Sequence, residues 1–112
     1  PPGLAPEVRR ATYIRSTSVV DVFHVLTSTY LQPPEVVEQT RPAHLEWLKG
    51  EIAEGRILLA GRLDDQSGAV LVTGDLSDED AQDLVDRDPY TQAEAARYQR
   101  VSFNGAFRAP GL

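Results

Sequence analysis

The segment Ile57-Leu58-Leu59-Ala60-Gly61-Arg62-Leu63 is a nearly continuous apolar run, and it limits the possible folds more than any other stretch. It reads as a strand buried on both faces. Asp64-Asp65-Gln66-Ser67-Gly68 has the composition of a turn, and Ala69-Val70-Leu71-Val72-Thr73-Gly74 reads as the return strand. Residues 57–74 are therefore expected to form a hairpin. A lone hairpin is marginal in water, so flanking segments must extend it into a sheet.

Those flanks supply the rest. Residues 21–30 are rich in β-branched and aromatic side chains and read as a strand, with Val22, His24, Leu26 and Ser28 on one face. Pro33-Pro34 stops it. A short helical turn is expected over 34–39, and the main helix from Pro42 to about Glu54, because proline suits the first helical position and glycine, here Gly55, suits the end. On that helix Leu45, Leu48 and Ile52 make an apolar stripe with His44 on its border, while Trp47 falls away from the stripe's centre. Ser77-Asp78-Glu79-Asp80 resembles a helix start with acids in the first turn. That second helix runs to about Arg87 with Ala81, Leu84 and Val85 inward, and Pro89 ends it. A short helical segment is expected within 91–97, and a last strand over 98–107.

The order strand, helix, strand, strand, helix, strand predicts an α+β, ferredoxin-like βαββαβ fold with a four-stranded antiparallel sheet. Both helices then cover one face of the sheet. The other face is left apolar, and pairing of two copies through these faces, a homodimer, is the expected solution. At 112 residues the chain suits one domain, assigned to residues 21–109, with residues 1–20, which carry Pro1-Pro2-Gly3 and Arg9-Arg10, as a loosely ordered arm.

Composition narrows the partners. A net charge of −6 argues against nucleic acid, whose phosphates need a basic surface. No apolar run approaches the roughly 20 residues of a membrane span, and no signal-peptide pattern is present. With zero cysteines there is no disulfide or thiolate chemistry, which fits a cytoplasmic location. Lys49 is the single lysine beside ten arginines, a bias that suits an anionic substrate and equally a GC-rich gene.

With two histidines and no cysteine, a histidine–carboxylate pair is one of the few chemical devices open to this chain. Asp88, in Asp86-Arg87-Asp88-Pro89-Tyr90, lies at the carboxyl end of a helix, where the dipole disfavours negative charge, and one step along from an apolar stripe. A carboxylate there needs a partner, and His44 or Arg41 is the nearest candidate. Bonded to one imidazole nitrogen, it would fix the tautomer and leave the other nitrogen as a base. The plainer reading stands beside it. Asp-Pro is a common helix end, and a histidine at an apolar border is often only a satisfied polar residue.

Arg41-Pro42-Ala43-His44-Leu45, Glu54-Gly55-Arg56-Ile57-Leu58-Leu59-Ala60-Gly61 and Asp86-Arg87-Asp88-Pro89-Tyr90, in this order, resemble the YciI-like (YCII-related) family over about residues 22–109. The resemblance implies a ferredoxin-like fold of the dimeric α+β barrel type, with His44 and Asp88 as the catalytic pair and Arg41 and Tyr90 as substrate-binding neighbours. It also implies kinship with a dehydrochlorinase of a chlorinated hydroxyhydroquinone and, in fold, with muconolactone isomerases. The chain departs from the family where Gly-Pro usually follows the second strand: it has Gly61-Arg62. Arg62 then either places a cation at the mouth of the pocket or points to solvent.

The expected function is a small cofactor-independent enzyme. Its His–Asp pair would transfer protons on a small cyclic, phenolic or carbonyl substrate, in an isomerisation, elimination or cyclisation, with Arg41 or Arg62 stabilising the charge that develops. The alternative is a non-catalytic dimeric module that binds a small ligand or a protein. His24 is expected either in the core or edge of the sheet or, if its face is open, lining the dimer cavity as a substrate-binding residue. No metal site is expected, since the histidines lie on different elements. Glu7, Glu35 and Glu38 read as solvated acids.

Overall fold

A computed structural model describes residues 21–112; the N-terminal arm assigned to residues 1–20 lies outside them. The elements are β1 (Val22–Tyr30), α1 (Pro34–Ala53), β2 (Ile57–Arg62), β3 (Gly68–Thr73), α2 (Asp78–Arg87), α3 (Pro89–Gln92) and β4 (Ala96–Asn104). They form a four-stranded antiparallel sheet in the order β2-β3-β1-β4, an α+β architecture. β1 pairs with β3 through Val25–Val72, Leu26–Leu71 and Thr27–Val70. The chain divides into two units. Residues Phe23–Phe103 form the larger one, which holds the sheet and helices. The described part of the smaller unit includes residues 104–112, where Gly105 N–H donates to the Asp21 carbonyl at 2.9 Å and Arg108 pairs with the Asp21 carboxylate. No helix of the described residues is long and apolar enough to cross a membrane.

The hairpin closes as the turn composition requires. Asp65 Oδ1 accepts from the backbone and hydroxyl of Ser67, which holds the Asp65 carboxyl below its usual range. Gly68 is needed because a Cβ there would lie 1.8 Å from the Ser28 carbonyl oxygen, so any side chain would part β3 from β1. β2, however, is not buried on both faces. It is an edge strand in which only Ile57 is buried, and Leu58 and Leu59 are exposed. Its apolar run reflects one strand covered on a single side.

Helix α1 differs from expectation in two ways. It begins at Pro34, not Pro42, and runs unbroken through Pro42. Pro42 has no N–H to offer the Glu38 carbonyl, a loss that ordinarily breaks a helix. Packing offsets it. Val37, in the first turn, is buried in a cluster with Tyr90, Ala95 and Ala96, against which Tyr30 packs. The helix also buries Val37, His44 and Glu51, a line at seven-residue spacing, whereas Leu45 and Ile52 of the expected stripe are exposed. Trp47 and Leu48 both pack on the main core of Leu26, Ile57, Leu71, Leu84 and Val85. At the C-terminus Gly55 takes φ +77°, Gly55 N–H donates to Ile52 O and Arg56 N–H to Glu51 O. This is the double bond pattern of a Schellman cap.

Helix α2 matches its reading. Ser77 Oγ accepts from Asp80 N–H, and Ala81, Leu84 and Val85 are buried. The short helical segment comes earlier than expected, at α3, because Asp88 starts it directly after ending α2.

Candidate active site

Asp88 carries two backbone duties. It is the C-cap of α2 and the N-cap of α3, where Oδ1 accepts from Tyr90 N–H at 2.9 Å. The second duty explains how a carboxylate tolerates the end of α2: a new helix begins where the old one stops, and its free N–H groups favour negative charge. Asp88 is fully buried. His44 Nδ1–H donates to the same Oδ1 at 2.8 Å, and the Tyr98 hydroxyl donates to Oδ2 at 2.5 Å. Three donors from α1, α3 and β4 thus hold one carboxylate. Burial, and then the neighbouring Asp88 charge, push the Tyr98 hydroxyl well above the ordinary phenol range.

The imidazole is equally constrained. Tyr90 stacks on His44 with ring centroids 4.1 Å apart and planes 15° apart, and Trp47 lies at 5.5 Å on a tilt. With Nδ1 committed to Asp88, Nε2 has no protein partner among the described residues. His44 lines a cavity of about 170 Å³ between α1 and the β2–β3 hairpin, together with Arg41, Arg62 and Tyr90. A second hollow of about 680 Å³ adjoins it and shares Tyr30 and Arg62.

The structure therefore brings His44, Asp88, Arg41, Arg62 and Tyr90 to one place. It does not bring His24 there. His24 faces the helix side of β1 and is fully buried, with Nε2–H donating to the Leu76 carbonyl at 2.8 Å and Nδ1 accepting from Ser102 Oγ at 2.7 Å. Both ring nitrogens serve the fold. Glu38, read as a solvated acid, instead accepts from Arg62 Nη2 at 2.7 Å, and that guanidinium holds the Glu38 carboxyl below its usual range. Tyr98 and Trp47 join the site without a motif to mark them. No spacing in the sequence flags Tyr98, whose link to Asp88 depends on β4 returning beside β1. Among the described residues no group of histidines and carboxylates is arranged to hold a metal ion.

The model of the YCII-related domain matches residues 22–104, and the chain belongs to that family. It is 71% identical over 24 residues, 21% of this chain and all of the relative, to a 12 kDa protein of Mycolicibacterium smegmatis. Among solved structures it resembles 5-chloro-2-hydroxyhydroquinone dehydrochlorinase (TftG) of Burkholderia phenoliruptrix AC1100 in complex with 2,5-dihydroxybenzoquinone. The TM-score is 0.57 at 21% identity, covering 76% of this chain and 95% of that one. At that identity the likeness is one of fold.

Proposed function

We propose that this chain is a cofactor-independent enzyme that moves a proton on a small cyclic, phenolic or carbonyl substrate. One observation carries the reading: His44 is held by Asp88 through one nitrogen and turns its ring, with the other nitrogen unclaimed, onto a cavity. A histidine needed only as a clamp has no use for that opening. Nε2 takes a proton from an acidic C–H or O–H, leaving an enolate or phenolate. Returning the proton to another carbon completes an isomerisation, and departure of an anionic leaving group completes an elimination. Arg41 and Arg62, both lining the cavity, supply positive charge where the intermediate is negative. The size of the hollow suits one ring, since cavities of about 150 Å³ hold benzene. The TftG fold, solved with a small quinone bound, is in keeping with this substrate class.

The partner is a second copy of the chain, met through the open sheet face. Leu59 is 61% exposed and Val101 65% exposed on the side away from the helices, with Phe103 beside Phe23. Such an apolar face is the ordinary site of association.

The test is deuterium exchange into lactones and halogenated phenols in D2O, comparing wild type with His44→Asn. An acid–base residue contributes typically about 10²–10⁴-fold. The expected result is loss of exchange by at least about 100-fold per folded molecule, the folded fraction being measured separately because the ring also packs on Tyr90 and Trp47. Equal exchange by both proteins sinks the reading.

A further inference from the structure

Tyr90 is only 2% exposed, yet its hydroxyl makes no well-formed hydrogen bond, although the Arg62 guanidinium is close enough to act on it. Buried polar groups are nearly always paired, and this one belongs to a side chain that lines the His44 cavity. Stacking on His44 accounts for the ring and leaves the hydroxyl unexplained. Beside it in the cavity wall is Arg62, whose guanidinium also sits 5.7 Å over the Tyr30 ring. That contact fixes the guanidinium at the boundary between the small cavity and the larger hollow, both of which it lines. A guanidinium offers five N–H donors in a planar fork. The hydrogen bond it makes to an acid, through Nη2 to Glu38, uses one edge.

The Glu38 contact is easily exchanged. Its side chain is 54% exposed, so on release it returns to water, and exposed ion pairs contribute little. Glu38 also stands 4.0 Å from Arg41, the other cation of the cavity. It thus occupies, from the solvent side, the cationic position that an acid inside the cavity would seek.

We propose that Arg62 and the Tyr90 hydroxyl form an anion-binding subsite beside His44, taking a carboxylate or ionised phenol on a single-ring ligand, with Glu38 as its built-in competitor. This rests on the reading of the His44 cavity as the substrate site and adds to it the charge of the substrate. The Tyr90 hydroxyl donates to one oxygen of the ligand and Arg62 to the same or the second oxygen, while Glu38 swings out. Selectivity for anions then arises from the Tyr90 hydroxyl and from the guanidinium that Glu38 releases, and affinity is set partly by a residue that never touches the ligand.

The test uses benzoate and its neutral counterpart benzamide, titrated into the full chain and followed by amide chemical shifts. Benzoate is expected to bind at least tenfold more tightly than benzamide. Glu38→Gln should tighten benzoate about two- to fivefold and leave benzamide unchanged. Tyr90→Phe should weaken benzoate about tenfold without lowering the melting temperature, because the hydroxyl it removes has no well-formed hydrogen bond to lose. Arg62→Gln should erase the preference and Arg62→Lys should keep part of it. Equal binding of the two probes to wild type overturns the proposal. So does benzoate affinity unmoved by Glu38→Gln or by Tyr90→Phe. The two readings are separated by their readouts: benzoate preferred over benzamide with no proton exchange in D2O keeps the subsite and sinks the proton transfer, whereas exchange with no preference between the probes does the reverse.

Discussion

His44 and Glu51 stand seven residues apart on the buried face of α1, and their partners, Asp88 and Arg87, are consecutive in the chain. The two helices are joined by two parallel cross-links, one in the candidate active site and one two turns below it. Glu51 is nearly buried and accepts from Arg56 at 2.6 Å and from Arg87 at 2.8 Å. Arg56 follows the cap of α1, and Arg87 is itself tied to Asp83. The lower cross-link therefore sets the height at which Asp88 meets the imidazole.

Glu51 should make the fold acid-sensitive. Its hydrogen bond to Arg56, with a smaller share from Arg87, lowers its pKa from 4.5 to about 2 against the opposing effect of burial. A depressed folded pKa means stability that is complete above about 4.5 and lost as pH falls towards 2. Because both arginines are partly solvated, the loss is expected to be about 2 kcal/mol. Urea midpoints at pH 6, 4 and 2.5 measure it. Glu51→Gln should be destabilised at pH 6 and should lose the slope between 4.5 and 2; an unaltered slope means that other carboxyls govern acid unfolding.

Tyr98→Phe removes one of the three donors to Asp88 and keeps the ring. A hydrogen bond to a charged group contributes about 1.5–3 kcal/mol, and the variant is expected to lose that much stability. In wild type the raised pKa of Tyr98 works in the other direction from Glu51: its contribution is complete below about pH 10 and disappears as pH climbs through the folded value. Spectrophotometric titration should find that Tyr98→Phe has one fewer tyrosine ionising only on alkaline unfolding than wild type, the buried Tyr90 remaining in both.

His24 and His44 should separate cleanly. His24→Leu removes the bonds to the half-buried Leu76 carbonyl and to Ser102, whose exposed hydroxyl can turn to water, at a cost of about 1 kcal/mol for each bond lost. Thermal unfolding should show it. Any exchange activity per folded molecule should persist in His24→Leu and vanish in His44→Asn. Loss of activity in a fully folded His24→Leu would return His24 to the site.

Leu59→Glu and Val101→Glu place charges on the open sheet face, on β2 and β4. If two copies meet there, sedimentation velocity at micromolar concentration should find wild-type dimers and mutant monomers, with folding intact. Monomeric wild type, or dimers in both variants, would remove the sheet face as the interface.

The legible parts of the sequence were those governed by local rules. Ser77, the acids after it and the Ala81–Leu84–Val85 spacing define α2, and the Asp64–Gly68 turn defines the hairpin. Where distant partners decide, local rules misled. Pro42 looks like a helix start, and only the burial of Val37 against Tyr90 and Ala95 carries the helix across it. The buried line of α1 runs through His44 and Glu51, which apolar periodicity cannot register because their partners lie 44 and 36 residues away. Asp88 was legible as an oddity at a helix end, His44 as its candidate partner. The Tyr98 contact and the Glu38–Arg62 pair were not, since each depends on a strand's position in the finished sheet or on the length of α1.

Asp88 ends one helix, begins another and aims a ring. Any exchange at that position would disturb three things in a single step, so a lineage exploring new substrates on this scaffold has little freedom there. The rim is different ground. Gly61 and Arg62, at the close of β2, can change without touching the junction between α2 and α3, and chemical novelty should accumulate at the mouth of the cavity while its floor stays as it is.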